Sequence, residues 1–280
     1  TAQAGAENYV FEDTMSAGLT YNKDAKVYTD ENMTTELDSE NYTVNNNPGD
    51  GKTFTITFAQ SYLNTITAET KLYVKYSATL NEGAVVGPDG NSNKSTLKYG
   101  DANNTKSTPD STTITRTWDV DVLKYTMVKG EDGTESKKVL SGAVFTLSKN
   151  ADGTNPIALV DEGGNVYRVA TKDDKTTITQ ITTDDTGKFT IKGLDSDTYY
   201  LTEKTAPAGY NTLKEAVKIV IDKDGKVTYN ETVVDTVEVL NQSGTELPST
   251  GGMGTTIFYV LGGVLMAGAF VLLVVRKRMR

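Results

Sequence analysis

The sequence predicts an all-β protein: two β-sandwich domains in tandem, followed by one C-terminal transmembrane helix. Three observations predict it. Short runs rich in Val, Ile, Thr, Tyr and Phe alternate with polar residues through most of the chain, and Gly, Asn and Asp fill the gaps, the pattern of strands joined by tight turns. A length of 280 residues suits about two domains and a short extra segment. Near the C-terminus the alternation gives way to one unbroken apolar run, residues 257–275.

Residues 9–13 (YVFED), 26–30 (KVYTD), 53–59 (TFTITFA), 71–80 (KLYVKYSATL) and 95–100 (STLKYG) supply the strands of a first domain, residues 1–105. In the longest of them Leu72, Val74, Tyr76, Ala78 and Leu80 share one face and Lys71, Lys75 and Thr79 take the other, as in a sheet with one wetted side. The polar run 101–117 contains Pro109 and reads as a connector, with 106–117 the linker between domains. The second domain, residues 118–244, offers strands at 118–127, 143–148, 166–170, 177–182, 188–191, 198–205, 216–221, 226–229 and 232–240. Turns such as ADG, DEGGN, DDTGK and DKDG separate them. DKDG and DEGGN lack the spacing of a calcium loop, so no metal site is expected.

Period-two counting finds five polar residues on apolar faces. Asp13 is in phase with Tyr9 and Phe11, and Asn93 with Leu97 and Tyr99. In the second domain Lys124 is in phase with Trp118, Val120 and Val122, Glu203 with Tyr199 and Leu201, and Asn241 with Val237 and Val239. A buried Lys, Glu or Asn is costly alone, but the three together make a reaction centre. Desolvation disfavours both the ammonium and the carboxylate, so a neutral amine and a protonated carboxyl can coexist. Lys124 is then the nucleophile and the Asn241 side-chain carbonyl the electrophile. Glu203 polarises that carbonyl and moves protons to the departing ammonia. Folding supplies the proximity, so this catalysis turns over once and the chain is not an enzyme in the ordinary sense.

The apolar run has nineteen residues without a charge, about 28 Å as a helix, close to the thickness of a bilayer core. Arg276, Lys277, Arg278 and Arg280 follow it and belong on the cytoplasmic side. Ahead of it stand Leu247, Pro248, Ser249, Thr250 and Gly251. This LPSTG closely resembles the LPxTG cell-wall sorting signal of Gram-positive surface proteins. The resemblance implies that a sortase cysteine attacks the Thr250 carbonyl, releases Gly251 onward and passes the acyl group to an amine. Residues 245–280 would then be a sorting signal whose membrane insertion is transient. The mature protein would be extracellular, covalently attached to the cell wall or pilus of a Gram-positive bacterium.

Three further segments resemble the pilins of such bacteria. YYLTEKTAPAGY, residues 199–210, is very close to the pilin E-box, with Lys204 where the family usually has Thr. LSGAVFTL, residues 140–147, is similar to a strand of the SpaA-like, second-type collagen-adhesin domain, and VEVLNQSGTELPSTG to its last strand running into the sorting signal. In the first domain FEDTMSAGLTYN and residues 76–100 resemble the first-type collagen-adhesin fold. The resemblance implies immunoglobulin-like sandwiches and a self-formed isopeptide bond from Lys124 to Asn241 with Glu203 as catalytic residue. For the first domain it implies Asp13 as the catalytic carboxylate and Asn93 as the acceptor. The lysine should precede Asp13, yet none precedes Lys23, so that cross-link is expected to be missing from the chain as it stands.

Composition agrees with an outer-surface address. Without the four tail cations, 28 basic residues become 24 against 37 acidic ones, a net charge of −13 that repels nucleic acid. The chain has no Cys and no His, which excludes Cys-His and Ser-His-Asp machinery and the usual zinc sites, and no cofactor is implied. It opens TAQAGAENYV, without an initiator Met, basic n-region or apolar h-region, and so reads as a fragment or a processed form. The expected function is a structural subunit of a sortase-assembled pilus, with sortase, neighbouring pilin subunits and peptidoglycan as partners. The alternative is a wall-anchored adhesin or stalk whose binding domain lies upstream and meets host surface ligands. No polymerisation lysine in a pilin motif is evident to separate the two.

Overall fold

The structure is a computed structural model that describes residues 6–101 and 103–244. The sorting motif, the apolar run and the basic tail lie outside the described residues. The first half contains β1 (Asn8–Met15), β2 (Leu19–Tyr21), β3 (Lys26–Tyr28), β4 (Tyr42–Asn45), β5 (Phe54–Phe58), β6 (Tyr73–Lys75), β7 (Ala78–Leu80), β8 (Asn91–Asp101), β9 (Asn104–Ser107) and β10 (Ser111–Thr115). Strands β10, β8, β1, β5 and β4 make the main antiparallel sheet, β9 pairs with the far end of β8, and the two-stranded antiparallel pairs β2–β7 and β3–β6 stand apart. Its core is aromatic: Phe54 stacks on Tyr21 at 4.4 Å and meets Tyr76 edge-on at 4.9 Å. Ile56, Phe58, Leu63 and Val27 complete the buried layer.

The second half contains β11 (Trp118–Lys129), β12 (Glu135–Val139), β13 (Val144–Ser148), β14 (Leu159–Gly163), β15 (Val166–Val169), β16 (Ile181–Thr182), β17 (Lys188–Leu194), β18 (Thr198–Thr205), β19 (Val217–Ile221), β20 (Val227–Tyr229), β21 (Thr232–Val234) and β22 (Thr236–Leu240). One sheet runs β12-β11-β17-β15-β14 with β22 also paired to β11, and the other runs β16-β13-β18-β19-β20-β21. Their inner faces share one core of alternating side chains, among them Trp118, Val120, Val122, Phe145, Leu147, Ile191, Tyr199, Leu201, Ile219, Val237 and Val239. The domain's first strand, β11, and its last, β22, are parallel neighbours, with Lys124 opposite Val239.

The strand pattern read from the sequence changes in four places. Residues 71–80 form two strands, because the Asp24 carboxylate takes the Ser77 N–H at 2.9 Å and its hydroxyl at 2.6 Å, bending the chain from the β3 partner to the β2 partner. Residues 232–240 also divide, at Asp235, where the chain leaves β20 and crosses to β11. The run read as a connector holds β9 and β10, which complete the β8 edge with Ser and Thr side chains that stay exposed. Of 177–182 only Ile181 and Thr182 form a strand, while Ile178 makes an isolated antiparallel bridge to Leu159. The expected sequence pattern gave no sign of β2, β4, β12 or β14.

Candidate functional site

Lys124, Glu203 and Asn241 arrive at one point from three strands. Along β11 Trp118, Val120, Val122 and Lys124 are buried while Asp119 and Asp121 are exposed, so the strand's alternation carries the lysine inward. The β18 alternation does the same for Glu203 after Tyr199 and Leu201, from the facing sheet. Asn241 directly follows β22 and is fixed by its own N–H, which donates to Tyr125 O at 2.9 Å. Lys124 and Asn241 are fully buried, and Glu203 nearly so.

The Lys124 ammonium nitrogen donates to Asn241 Oδ1 and, at 3.1 Å, to Val239 O. Asn241 Nδ2 donates to Glu203 Oε1 at 2.9 Å and Oε2 at 3.2 Å. Oε1 also stands 3.6 Å from Lys124 Nζ. Glu203 therefore faces the amide nitrogen of Asn241 and not its carbonyl oxygen, an orientation that favours proton transfer over the carbonyl polarisation expected from the sequence. Burial pulls the Lys124 amine down to about 8, against the opposing pull of Glu203. The Phe145 ring forms one wall, its centroid 6.0 Å from Nζ.

In the first domain Asp13 and Asn93 also meet. Asn93 Nδ2 donates to Asp13 Oδ2 at 3.1 Å. A third residue joins them that period-two counting assigned to the apolar face: the Tyr76 hydroxyl donates to Asp13 Oδ2 at 2.7 Å and accepts from Asn93 Nδ2 at 2.8 Å. Burial pushes the Asp13 carboxyl up, partly offset by the hydrogen bonds from Tyr76 and Asn93. Asp13 Oδ1 and Asn93 Oδ1 are buried acceptors with no hydrogen-bond partner among the described residues. The backbone N–H of Leu213, which donates to Glu203 Oε2 at 2.9 Å, likewise had no signal in the sequence.

Comparison with known proteins finds three matching stretches of the chain. Residues 1–104 match the family described as Gram-positive pilin backbone subunit 2, Cna-B-like domain, where the sequence resemblance pointed to the first collagen-adhesin type. Residues 126–234 match the SpaA prealbumin-like fold domain, and residues 240–279 the LPXTG cell wall anchor motif. No curated protein matches the chain. Among solved structures, the group B streptococcus pilus 2b backbone protein is 26% identical over 89% of this chain and 92% of its own, with a TM-score of 0.55. The 35 kDa C-terminal fragment of the major pilin GBS80 of Streptococcus agalactiae is 24% identical over 85% and 88%, with a TM-score of 0.57. Domains D2 and D3 of the major pilin SpaD from Corynebacterium diphtheriae are 22% identical over 85% and 87%, with a TM-score of 0.55.

Proposed function

We infer a tension-bearing role for a chain that is a Gram-positive pilin backbone subunit with an LPXTG cell-wall anchor motif. Its place is extracellular and cell-wall-attached, and its partners are a sortase, other pilin subunits and the wall. The finer reading is that its second domain closes itself with an amide bond between Lys124 and Asn241. The observation that carries it is the position of Glu203 Oε1, within reach of both the amine that must lose a proton and the amide nitrogen that must gain one.

Neutral Lys124 attacks Cγ of Asn241, forming the Nζ–Cγ bond. Glu203 takes a proton from the attacking nitrogen and delivers it to Nδ2; the Cγ–Nδ2 bond breaks and one ammonia leaves. Both partners are held by strand packing before reaction, so proximity is provided in advance. The bond joins residues 117 apart. By analogy with a disulfide closing a loop of that size, it stabilises the domain by about 4–5 kcal/mol, and it is not reducible.

Asp13 and Asn93 support a second, incomplete centre of the same kind. Their two unpartnered acceptors suit an amine donor, as in the reading of Asn93 as acceptor and Asp13 as its acid. Release of the chain by a sortase at Thr250 and joining to a neighbouring subunit follow from Leu247, Pro248, Ser249, Thr250 and Gly251 in the same reading.

Intact mass tests the cross-link. The purified chain should be lighter than calculated by one ammonia, and the Glu203→Ala and Asn241→Ala variants should have full mass. A folded parent chain at full mass overturns the reaction.

A further inference from the structure

The two oxygens of Glu203 are not equivalent. Oε2 accepts the Leu213 N–H at 2.9 Å, and a backbone N–H is a donor at every pH. That contact occupies one lone pair of Oε2, which also accepts from Asn241 Nδ2 at 3.2 Å. Oε1, with no such backbone donor, 3.6 Å from Nζ and 2.9 Å from Asn241 Nδ2, is the oxygen better placed to carry the proton taken from Lys124.

The donor has its own support. Leu213 lies in the loop between β18 and β19, its side chain half-buried against the second core. The same loop makes a turn in which Tyr210 N–H donates to Pro207 O at 3.1 Å, with Gly209 at φ +87°. It is also tied to the residues that follow the electrophile: Asn211 N–H donates to Gln242 O at 3.2 Å, and Tyr210 and Ser243 form an antiparallel bridge. The strand end that brings in Asn241 therefore also seats the loop that presents Leu213 to Glu203.

We propose that the Leu213 N–H is a positioning group for the Lys124–Asn241 reaction, and that docking of Gln242 and Ser243 on the 207–213 loop sets it. The device restricts cross-linking to the correct register. A slip of β22 would move Asn241 from Lys124, break the Asn211–Gln242 contact and loosen the donor on Oε2 together. The inference rests on the proposed triad and adds its control.

Three variants of the full chain test it, read as the rate of ammonia loss in freshly synthesised protein. Leu213→Pro deletes the N–H. Leu213→Ala keeps the N–H and trims the side chain. Asn211→Pro deletes the donor that docks the loop on Gln242 and leaves Glu203 and Leu213 themselves unsubstituted. Leu213→Ala should react within about twofold of the parent, whereas both proline variants should slow by about tenfold or more, the effect of losing one hydrogen bond to a charged group. Each variant is paired with one carrying Asn241→Ala, which cannot react and so reports folding alone by its melting temperature. Proline variants that slow the reaction while melting normally in that background support the inference. A proline variant reacting at the parent rate overturns it, and Asn211→Pro decides the matter if Leu213→Pro does not fold. Full mass in the parent overturns the triad itself, a separate result.

Discussion

In the proposed cross-link, the reactivity of Lys124 comes from where its side chain ends. Fully buried, with Glu203 as its nearest opposite charge, its amine is held at about 8 instead of 10.5. Attack needs the neutral amine, so the rate of ammonia loss should rise with pH and level off above about 8, measurable by intact mass on newly made chain held at a series of pH values. The same shift sets a sign for stability. In Asn241→Ala the unfolded state keeps its lysine proton to about 10.5 and the folded state only to about 8, so between those values the unfolded state binds more protons and stability rises with pH. A denaturant midpoint that falls across that window would contradict a burial that outweighs the pull of Glu203 on the amine. Lys124, Glu203 and Asn241 were legible because a charged or amide side chain breaks an apolar period-two row. Tyr76 was not, since a tyrosine fits such a row and its hydroxyl acts only once folded. The Leu213 N–H was not, because every residue but proline has one.

At the level of elements, the site depends on how tightly β11 is gripped. Lys124 N–H donates to Gly187 O at 2.7 Å and Lys124 O accepts from Leu140 N–H at 2.9 Å, so the turn before β17 and the chain after β12 hold the lysine's backbone on both sides. Gly187 has φ +65°, and a Cβ there would stand 2.6 Å from Lys124 O and 3.0 Å from Val139 Cβ. Gly187→Ala should therefore destabilise the domain by about 1–3 kcal/mol and displace Lys124, slowing the cross-link. Gly163→Ala is the control, with φ +82° but nothing within 4 Å. Thermal unfolding of both in the Asn241→Ala background separates strain from clash: equal costs would mean that the approach to Lys124 does not matter. Two of the elements missed in the sequence, β12 and β10, share a physical cause. β12 is ESKKV with every residue exposed, and β10 is STTIT, also fully exposed; both are edge strands held by backbone pairing, which leaves no alternation to read. Strands buried on one face, such as β11 and β18, were readable for the opposite reason.

For the whole molecule, direction of pull is what matters. β10 ends at Thr115 and β11 begins at Trp118, so tension passes from the first sheet into the first strand of the second domain through two residues. Within that domain β11 and β22 are parallel neighbours, and the chain leaves at the C-terminal end of β22 towards the anchor motif. Force entering at Trp118 and leaving after Asn241 shears this pair. With the bond in place, the path runs along β11 to Lys124, across to Asn241 and out, and the intervening chain carries no tension. Without the bond, nothing but packing and the β11–β22 ladder resists, and rupture releases residues spanning 117 positions. Fully extended at about 3.3–3.6 Å per residue, they would add roughly 400 Å of length. Single-molecule pulling between residues 118 and 244 should show no such step in the parent chain, and one of that size in Asn241→Ala or Glu203→Ala. A full-length step in the parent would mean that the strand pair bears tension by hydrogen bonding alone, and that Lys124 and Asn241 remain unjoined neighbours.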